Sequence, residues 1–361
     1  MSPEFVSNEE IVQAARRNLK QAEWDYLVGG SESETTMRRN RLAFDRLAFR
    51  PRVLVDVSHI DPSTTFLRRK MRIPVMLAPV GGLHRFTPEG GAAAAKAAGQ
   101  FGTTTVVSTV TEPTLEEIAV AANGSKVFQL YIRGDWAWIE GIIKRVKRAG
   151  YEALCLTVDT AQSSRRERPM LHRSAPARVG SRGSPYQAAL TWETMDRIMD
   201  RIKDTAGLPF MLKGVATAED AALAVEHGVD VIWVSNHGGR QLDHQLGTMD
   251  MLPEIVDAAG GKADIVLDGG VQRGTDVLKA LALGAKAVAI GRLQGWGLAA
   301  GGVEGLVQVL DILEDEMLSA MGLLGVTSVN QLTPAYVQRA EPVTDPHEMS
   351  GWVNMPGGRI L

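Results

Sequence analysis

The chain of 361 residues has one cysteine, Cys155, so no disulfide can form within it. It has no run of 18 apolar residues, so no transmembrane segment is expected. Its opening residues, Met1-Ser2-Pro3-Glu4-Phe5, lack the basic and apolar regions of a secretory leader, and a cytoplasmic enzyme is the expectation that follows. Neither sign of charge is in large excess. With 39 Lys and Arg against 42 Asp and Glu, the net charge of −3 gives nucleic acid no basic surface to bind. No GxGxxG joins the first barrel-like strand to its helix, which argues against dinucleotide binding. No metal site is expected. Cys155 lies in Ala153-Leu154-Cys155-Leu156, a buried-strand context that suits a core residue better than a nucleophile.

What is present is a regular alternation. Residues 8–28 carry helical apolar spacing through Ile11, Ala14, Ala15, Leu19, Ala22, Trp24 and Leu27, stopped by Gly29-Gly30. A second, polar helix runs to about Leu42, and 44–73 reads as an extended lead-in punctuated by Pro51, Pro62 and Pro74. Short apolar runs then appear at 75–79, 103–108, 126–131, 153–158, 209–213, 230–235, 264–267 and 286–290. Helical stretches follow them at about 91–101, 114–122, 136–149, 191–206, 217–227, 248–259, 273–283 and 302–321. Runs apolar on both faces suit parallel strands covered by helices. Eight such units predict an α/β fold, a (β/α)8 TIM barrel over 74–325. An N-terminal helical extension (1–73) precedes it and a tail (326–361) follows, in one domain.

Residues 168–190 break the rhythm with three prolines, two glycines and Arg168, Arg173, Arg178 and Arg182. They follow the fourth strand and read either as a mobile lid or as a solvated loop. The irregular tail from 341 is expected to pack on a neighbouring subunit.

Chemistry in such barrels sits at the C-terminal strand ends. The stretch Ser235-Asn236-His237-Gly238-Gly239-Arg240-Gln241-Leu242-Asp243 follows one strand and offers a base, His237, three residues before a permanent cation, Arg240. A base plus a carboxylate clamp is what abstraction of a proton α to an acid requires. Other strand ends supply Pro79-Val80-Gly81, Ser108, Gln129 with Tyr131, Thr157 with Asp159, Lys213, Asp268-Gly269-Gly270 and Gly291-Arg292. Polar groups converging from so many strand ends would line one concave site. The glycine turns after the last two strands predict a phosphorylated ligand, cofactor or substrate.

Together SNHGGRQLD (235–243), LKGV (212–215), QLY (129–131), LTVDT (156–160), LDGG (267–270), RGTDVLKALALGA (273–285) and AIGR (289–292) resemble the FMN-dependent 2-hydroxy-acid oxidase/dehydrogenase family. Trp24-Asp25-Tyr26, Asn40-Arg41 and FRPRVLVDVS (49–58) match it as well. The family includes glycolate oxidase, lactate oxidase and mandelate dehydrogenase. The resemblance implies FMN across the barrel mouth, its phosphate near Gly270, Gly291 and Arg292 and its N5 edge at the backbone of Pro79, Val80 and Gly81. It gives Ser108, Gln129, Thr157, Ser235, Asp268 and Gly269 to the cofactor and sets Lys213 beside N1 and O2. Tyr26, Arg166 and Arg240 would hold the substrate carboxylate, with Tyr131 at the substrate hydroxyl. His237 would be the base and Asp159 its orienting partner. The residues leave open whether hydrogen leaves as hydride or as a proton, and His237 is the base in either case. Electrons would pass to oxygen, a quinone or a protein, and a homotetramer or larger assembly is implied.

Three positions and one loop depart from the family pattern. Gly81 stands for the oxidases' usual Ala, which leaves space beside N5. Val110 replaces a pocket-lining Trp of glycolate oxidase. Gln272 replaces an Arg at the phosphate, leaving its charge to Arg273 or Arg292. The loop after Arg166 is short and runs Arg-Pro-Met-Leu-His. These changes suggest a roomy pocket for an aromatic or long aliphatic 2-hydroxy acid, or loop arginines attracting a second anionic group. An FMN barrel of other chemistry, such as the type 2 isopentenyl-diphosphate isomerase, needs no carboxylate clamp. A non-enzymatic flavin-binding barrel has no reason to keep the base, its Asp and two arginines.

Overall fold

The computed structural model describes residues 4–175, 184–343 and 347–352. Eight parallel strands form a closed barrel in chain order: Val75–Leu77, Thr105–Ser108, Lys126–Leu130, Ala153–Thr157, Phe210–Val215, Val231–Val234, Asp264–Asp268 and Ala287–Ile290, the last pairing with the first. Nearly every strand position is buried, which explains why the runs are apolar without alternation. One face points into the barrel, where Met76, Val106, Val127, Cys155, Met211 and Trp233 pack together. The other meets the surrounding helices, whose buried stripes complete the main core.

A hairpin, Thr64–Phe66 with Arg69–Met71, turns at Leu67 and Arg68, both in the left-handed region. Its Phe66 and Met71 join the barrel-interior cluster, and Arg69 bonds Glu152 just before the fourth strand. The hairpin therefore plugs the N-terminal end of the barrel, leaving the C-terminal mouth open for a site.

Three boundaries differ from the sequence reading. The first helical stretch is two helices, Asn8–Asn18 and Gln21–Val28. Leu19 between them is extended, and Asn18 Nδ2 donates to Ala299 O at 2.9 Å, so docking onto the last helix interrupts the periodicity. The next helix, Thr35–Asp45, runs past Leu42. The last helical stretch, Arg292–Leu324, is two helices divided by non-helical backbone at Gly301 and Gly302: the expected helix from 302, which reaches Leu324, and a further helix before it that starts at Arg292. By length and composition alone the whole stretch could cross a membrane, but the break at Gly301 and Gly302 divides it and half of its most apolar window is buried inside the protein. Val337–Arg339 pairs with Leu47–Phe49, tying the two ends of the chain together.

The stretch after the fourth strand is less irregular than its composition suggested. It holds helices Glu167–Leu171 and Pro185–Ala188, and buried Gln187 bonds Ile132 N and Thr157 O, both at 2.7 Å. Arg178 and Arg182 lie outside the described residues.

Candidate active site

A cavity of about 300 Å³ opens at the C-terminal mouth of the barrel. The 235–243 stretch forms one side. His237, Gly238 and Gly239 are successive left-handed residues, with φ of 58°, 62° and 75°. A Cβ on Gly239 would lie 2.7 Å from Met37 N, so only glycine lets this loop meet the N-terminal helix. Asn236 and Asn40 exchange a reciprocal amide pair at 2.8 and 3.0 Å. Asp243 accepts from Ser33 Oγ and from the Thr35 and Thr36 amides, satisfying the first turn of helix Thr35–Asp45. The stretch is thus pinned to the N-terminal extension through Asn236, Gly239 and Asp243, which leaves His237 and Arg240 to face the cavity.

His237 Nδ1 lies 3.0 and 3.1 Å from the two carboxylate oxygens of Asp159. A carboxylate only accepts, so Nδ1 carries the proton and Nε2 of the neutral ring has its lone pair free. Nε2 has no hydrogen bond among the described residues. Burial lowers the His237 pKa, outweighing the attraction of Asp159, so the ring is neutral at pH 7. Burial pushes the Asp159 pKa up, but its pairing with His237 and the charge of Lys213 bring it below the ordinary value and keep the carboxylate ionised.

Arg166, Arg240 and Arg292 line the same cavity, and none has a carboxylate partner among the described residues. Arg240 donates to the carbonyls of Tyr26 and Gly29, and its guanidinium lies 5.1 Å from the Tyr26 ring. Arg292 donates to Val28, Gly29 and Gly238 carbonyls. Burial, then mutual repulsion with Arg166 and Arg292, drives the Arg240 pKa well down; burial takes Arg292 to about 10. Crowded cations with no paired carboxylate form a site for anions, Arg292 being partly offset by the more distant charges of Glu34 and Glu348. Tyr131 lines the cavity with its phenol pKa raised by burial, so it stays protonated.

Lys213 is buried, donates to Ser235 Oγ at 2.8 Å and lies 3.3 Å from Asp268. Burial opposes its charge, but Asp268 and Asp159 raise its pKa and keep it cationic. Cys155 is buried inside the barrel, its pKa pushed up to about 12 by burial, so it is inert as a nucleophile.

Of the residues expected at the site, Tyr26, Pro79, Val80, Gly81, Tyr131, Arg166, Lys213, His237, Arg240, Asp268, Gly269, Gly270, Gly291 and Arg292 all line this cavity. Asp159 stands behind His237. Ser108, Gln129, Thr157 and Ser235 are buried beneath the mouth rather than lining it. Ser235 Oγ is already shared among Lys213, Asp268 and the His237 amide. Gln129 Nε2 and Thr157 Oγ1, in contrast, are buried with no hydrogen-bond partner. Arg273 is not at the cavity; it turns outward to Glu316 at 3.1 Å.

Two further expectations need correction. Gly81 leaves no space beside it, because a Cβ there would lie 2.5 Å from Val110 Cγ2. Of the loop arginines, Arg168 is not free for a substrate anion: its Nε and one terminal nitrogen donate to the two Glu34 oxygens at 2.6 Å, and Glu348 is 3.5 Å away, whereas Arg173 is exposed. The sequence reading missed Met37, Phe86, Trp296, Glu348 and Met349 as lining residues. Arg41 was visible only as a motif match; it donates to Gly270 O at 2.6 Å and to Asp276 at 2.7 Å, bracing the glycine turn.

A closed (β/α)8 barrel with a carboxylate-backed histidine and unpaired guanidiniums at its mouth defines an oxyacid-handling barrel enzyme with room for a phosphorylated cofactor. The family described as FMN-dependent dehydrogenase matches residues 15–339. L-lactate oxidase of Nostoc sp. is 39% identical over 358 residues, covering 91% of this chain and 96% of its own. Glycolate oxidase of Spinacia oleracea is 38% identical over 360 residues, covering 92% and 96%. The structure of mandelate oxidase with (S)-2-phenylpropionate superposes with a TM-score of 0.86 at 37% identity, over 94% of this chain and 100% of that one. The chain belongs to the FMN-dependent 2-hydroxy-acid oxidase family.

FMN suits the residues present. The unpartnered Gln129 Nε2 and Thr157 Oγ1 need a polar partner at the mouth. The helix starting at Arg292 has no side-chain cap at Gly291, where a Cβ would meet open space. An uncapped helix start facing a cavity favours a phosphate.

Proposed function

We propose that this enzyme oxidises (S)-2-hydroxy acids with a bulky apolar side chain to 2-oxo acids. The observation that carries the reading is the His237–Asp159 pair in one cavity with Arg166 and Arg240, two cations lacking an anion. Arg166 and Arg240 would take the substrate carboxylate, whose two oxygens match the planar guanidinium fork. Tyr131, held protonated, would donate to the substrate hydroxyl. His237 Nε2 would accept the proton lost in oxidation, and Asp159 would steady the imidazolium formed. Bound FMN supplies the two-electron acceptor that no side chain can provide. Lys213, kept cationic by Asp268, would stabilise negative charge beside the flavin, with Pro79, Val80 and Gly81 along its edge and Gly270, Gly291 and Arg292 at its phosphate.

The side-chain preference rests on the wall at Val80, Gly81 and Val110, where Val110 lines the cavity and is 38% exposed. Apolar surface left bare by a two-carbon acid is covered by a larger one, at roughly 25 cal/mol per Å² before ordering costs. Oxygen as acceptor is supported by relatives named as oxidases.

Anaerobic mixing of the flavin-loaded protein with a panel of 2-hydroxy acids tests this directly. The oxidised-flavin spectrum should bleach with 2-hydroxy acids, faster with mandelate-like ones. A spectrum that no 2-hydroxy acid bleaches would end the proposal.

A further inference from the structure

We infer that the C-terminal segment 347–352 is a wall of the cofactor site, strapped over its phosphate end by Gln272. The inference rests on the FMN reading above and adds residues that this reading does not use.

The phosphate end is marked by the Asp268-Gly269-Gly270 turn and by the uncapped start of the Arg292 helix. Gln272 lies two residues beyond that turn, 5% exposed. Its Nε2 donates to Glu348 O, and its Oε1 accepts from Gly351 N at 3.0 Å. Both functions of one amide are therefore spent on the tail. An arginine could not make this clasp, because it has no acceptor for the Gly351 amide. Glutamine at this position gives up a cation and gains a hold on the segment outside the phosphate.

The segment is anchored on both sides of the clasp. Ser350 Oγ donates to Asp45 at 2.6 Å, and Asp45 pairs with Arg41, the residue that braces Gly270. Trp352 is 2% exposed and meets Trp296 edge-on, ring centres 5.8 Å apart. Glu348 lies 3.5 Å from Arg168, so the loop after the fourth strand touches the same strap.

Glu348 and Met349 line the cavity together with Gly269, Gly270 and Gly291, and the cavity stays open with the segment in place. The segment is a wall and not a plug. Held in place by the clasp, that wall keeps the phosphate end enclosed on one side, so the clasp should slow cofactor release.

The test is the rate of FMN release from the full holoenzyme, read as recovery of free-flavin fluorescence on dilution. Two variants are compared with the native chain: Gln272→Met, which keeps length and loses both hydrogen bonds, and a chain ending at residue 346. Each should release FMN at least tenfold faster, and the combined variant no faster than the shortened chain. Unfolding of the Gln272→Met apoprotein should match the native apoprotein, which separates the strap from a general loss of stability. If the shortened chain fails to fold, Trp352→Ala takes its place. Native or slower release from Gln272→Met would overturn the inference, slower release meaning that the tail competes with the phosphate. Failure of the native protein to take up FMN at all would instead sink the reading on which the strap depends.

Discussion

Gly81 and Val110 are a matched pair: a methyl on Gly81 would sit 2.5 Å from Val110 Cγ2, well inside van der Waals contact. Val110 has one stiff torsion and cannot swing aside at no cost. The glycine therefore does not open the pocket. It makes room for the valine, which occupies the place an alanine methyl would fill.

The pairing predicts non-additive mutations. Gly81→Ala alone should destabilise by about 1–3 kcal/mol through overpacking. Val110→Ala in the same chain should recover most of that, a coupling of about 0.5–3 kcal/mol. Urea unfolding of the four proteins in the cycle measures it. Strict additivity would mean that the backbone relaxes and the two positions are independent.

Asp159 fixes which nitrogen of His237 carries the proton. Asp159→Asn should keep the fold and slow flavin reduction by about 10²–10⁴-fold, in the range of a lost general base, because the amide can hold the wrong tautomer. Stopped-flow reduction with saturating substrate reads this. A native rate would take Asp159 out of the mechanism.

The same pair sets a pH profile. Burial lowers the His237 pKa from its ordinary value of about 6.5, so the basic form persists through neutral pH. Reductive kcat/KM should be flat around pH 7 and fall tenfold per unit only below the histidine's lowered pKa. The stability sign is the same: the native state resists protonation at His237, so this group costs stability as pH falls below its unfolded value. An acid limb centred above 6.5 would contradict a buried, neutral base.

The barrel was legible because its strands are buried on both faces and its helices carry one apolar stripe, so the period of the pattern changes at each boundary. The strand-end residues were legible for a related reason: a polar residue closing an apolar run has few other places to be. The partners were not. Nothing local in Asp159 announces His237, 78 positions away in sequence. Arg273 looked like a phosphate ligand because it follows the glycine turn, yet the helix that begins at Gly274 turns its side chain outward to Glu316. The tail gave no signal, since a clasp to backbone atoms at 348 and 351 leaves no pattern in side-chain types.

Arg240 tests the carboxylate clamp. Arg240→Lys keeps a charge but loses the fork and the bonds to the Tyr26 and Gly29 carbonyls. It should raise the KM for 2-hydroxy acids and weaken carboxylate inhibitors, by about 1.5–3 kcal/mol for a charged hydrogen bond. The corresponding 2-hydroxy amides, which carry no charge, should lose much less. Equal losses for acid and amide would place Arg240 elsewhere.

Substrate size turns on Val110. It lines the cavity, remains 38% exposed, and is held against Gly81 so that its side chain cannot extend inward. Val110→Trp would put a ring across that opening. Without a Cβ on residue 81 there is room for the base of the ring, so the variant should fold. It should then exclude aromatic and long aliphatic acids while gaining contact with small ones. Each methylene that can no longer be buried is worth about 0.8 kcal/mol, so a phenyl group should lose well over tenfold in relative kcat/KM against glycolate. Anaerobic reduction rates give the ratio without interference from the electron acceptor. In the native enzyme the ratio should favour the bulkier acids. If glycolate reduces the native flavin faster than every larger acid, the pocket is narrow despite Val110, and the preference must be set by another wall of the cavity.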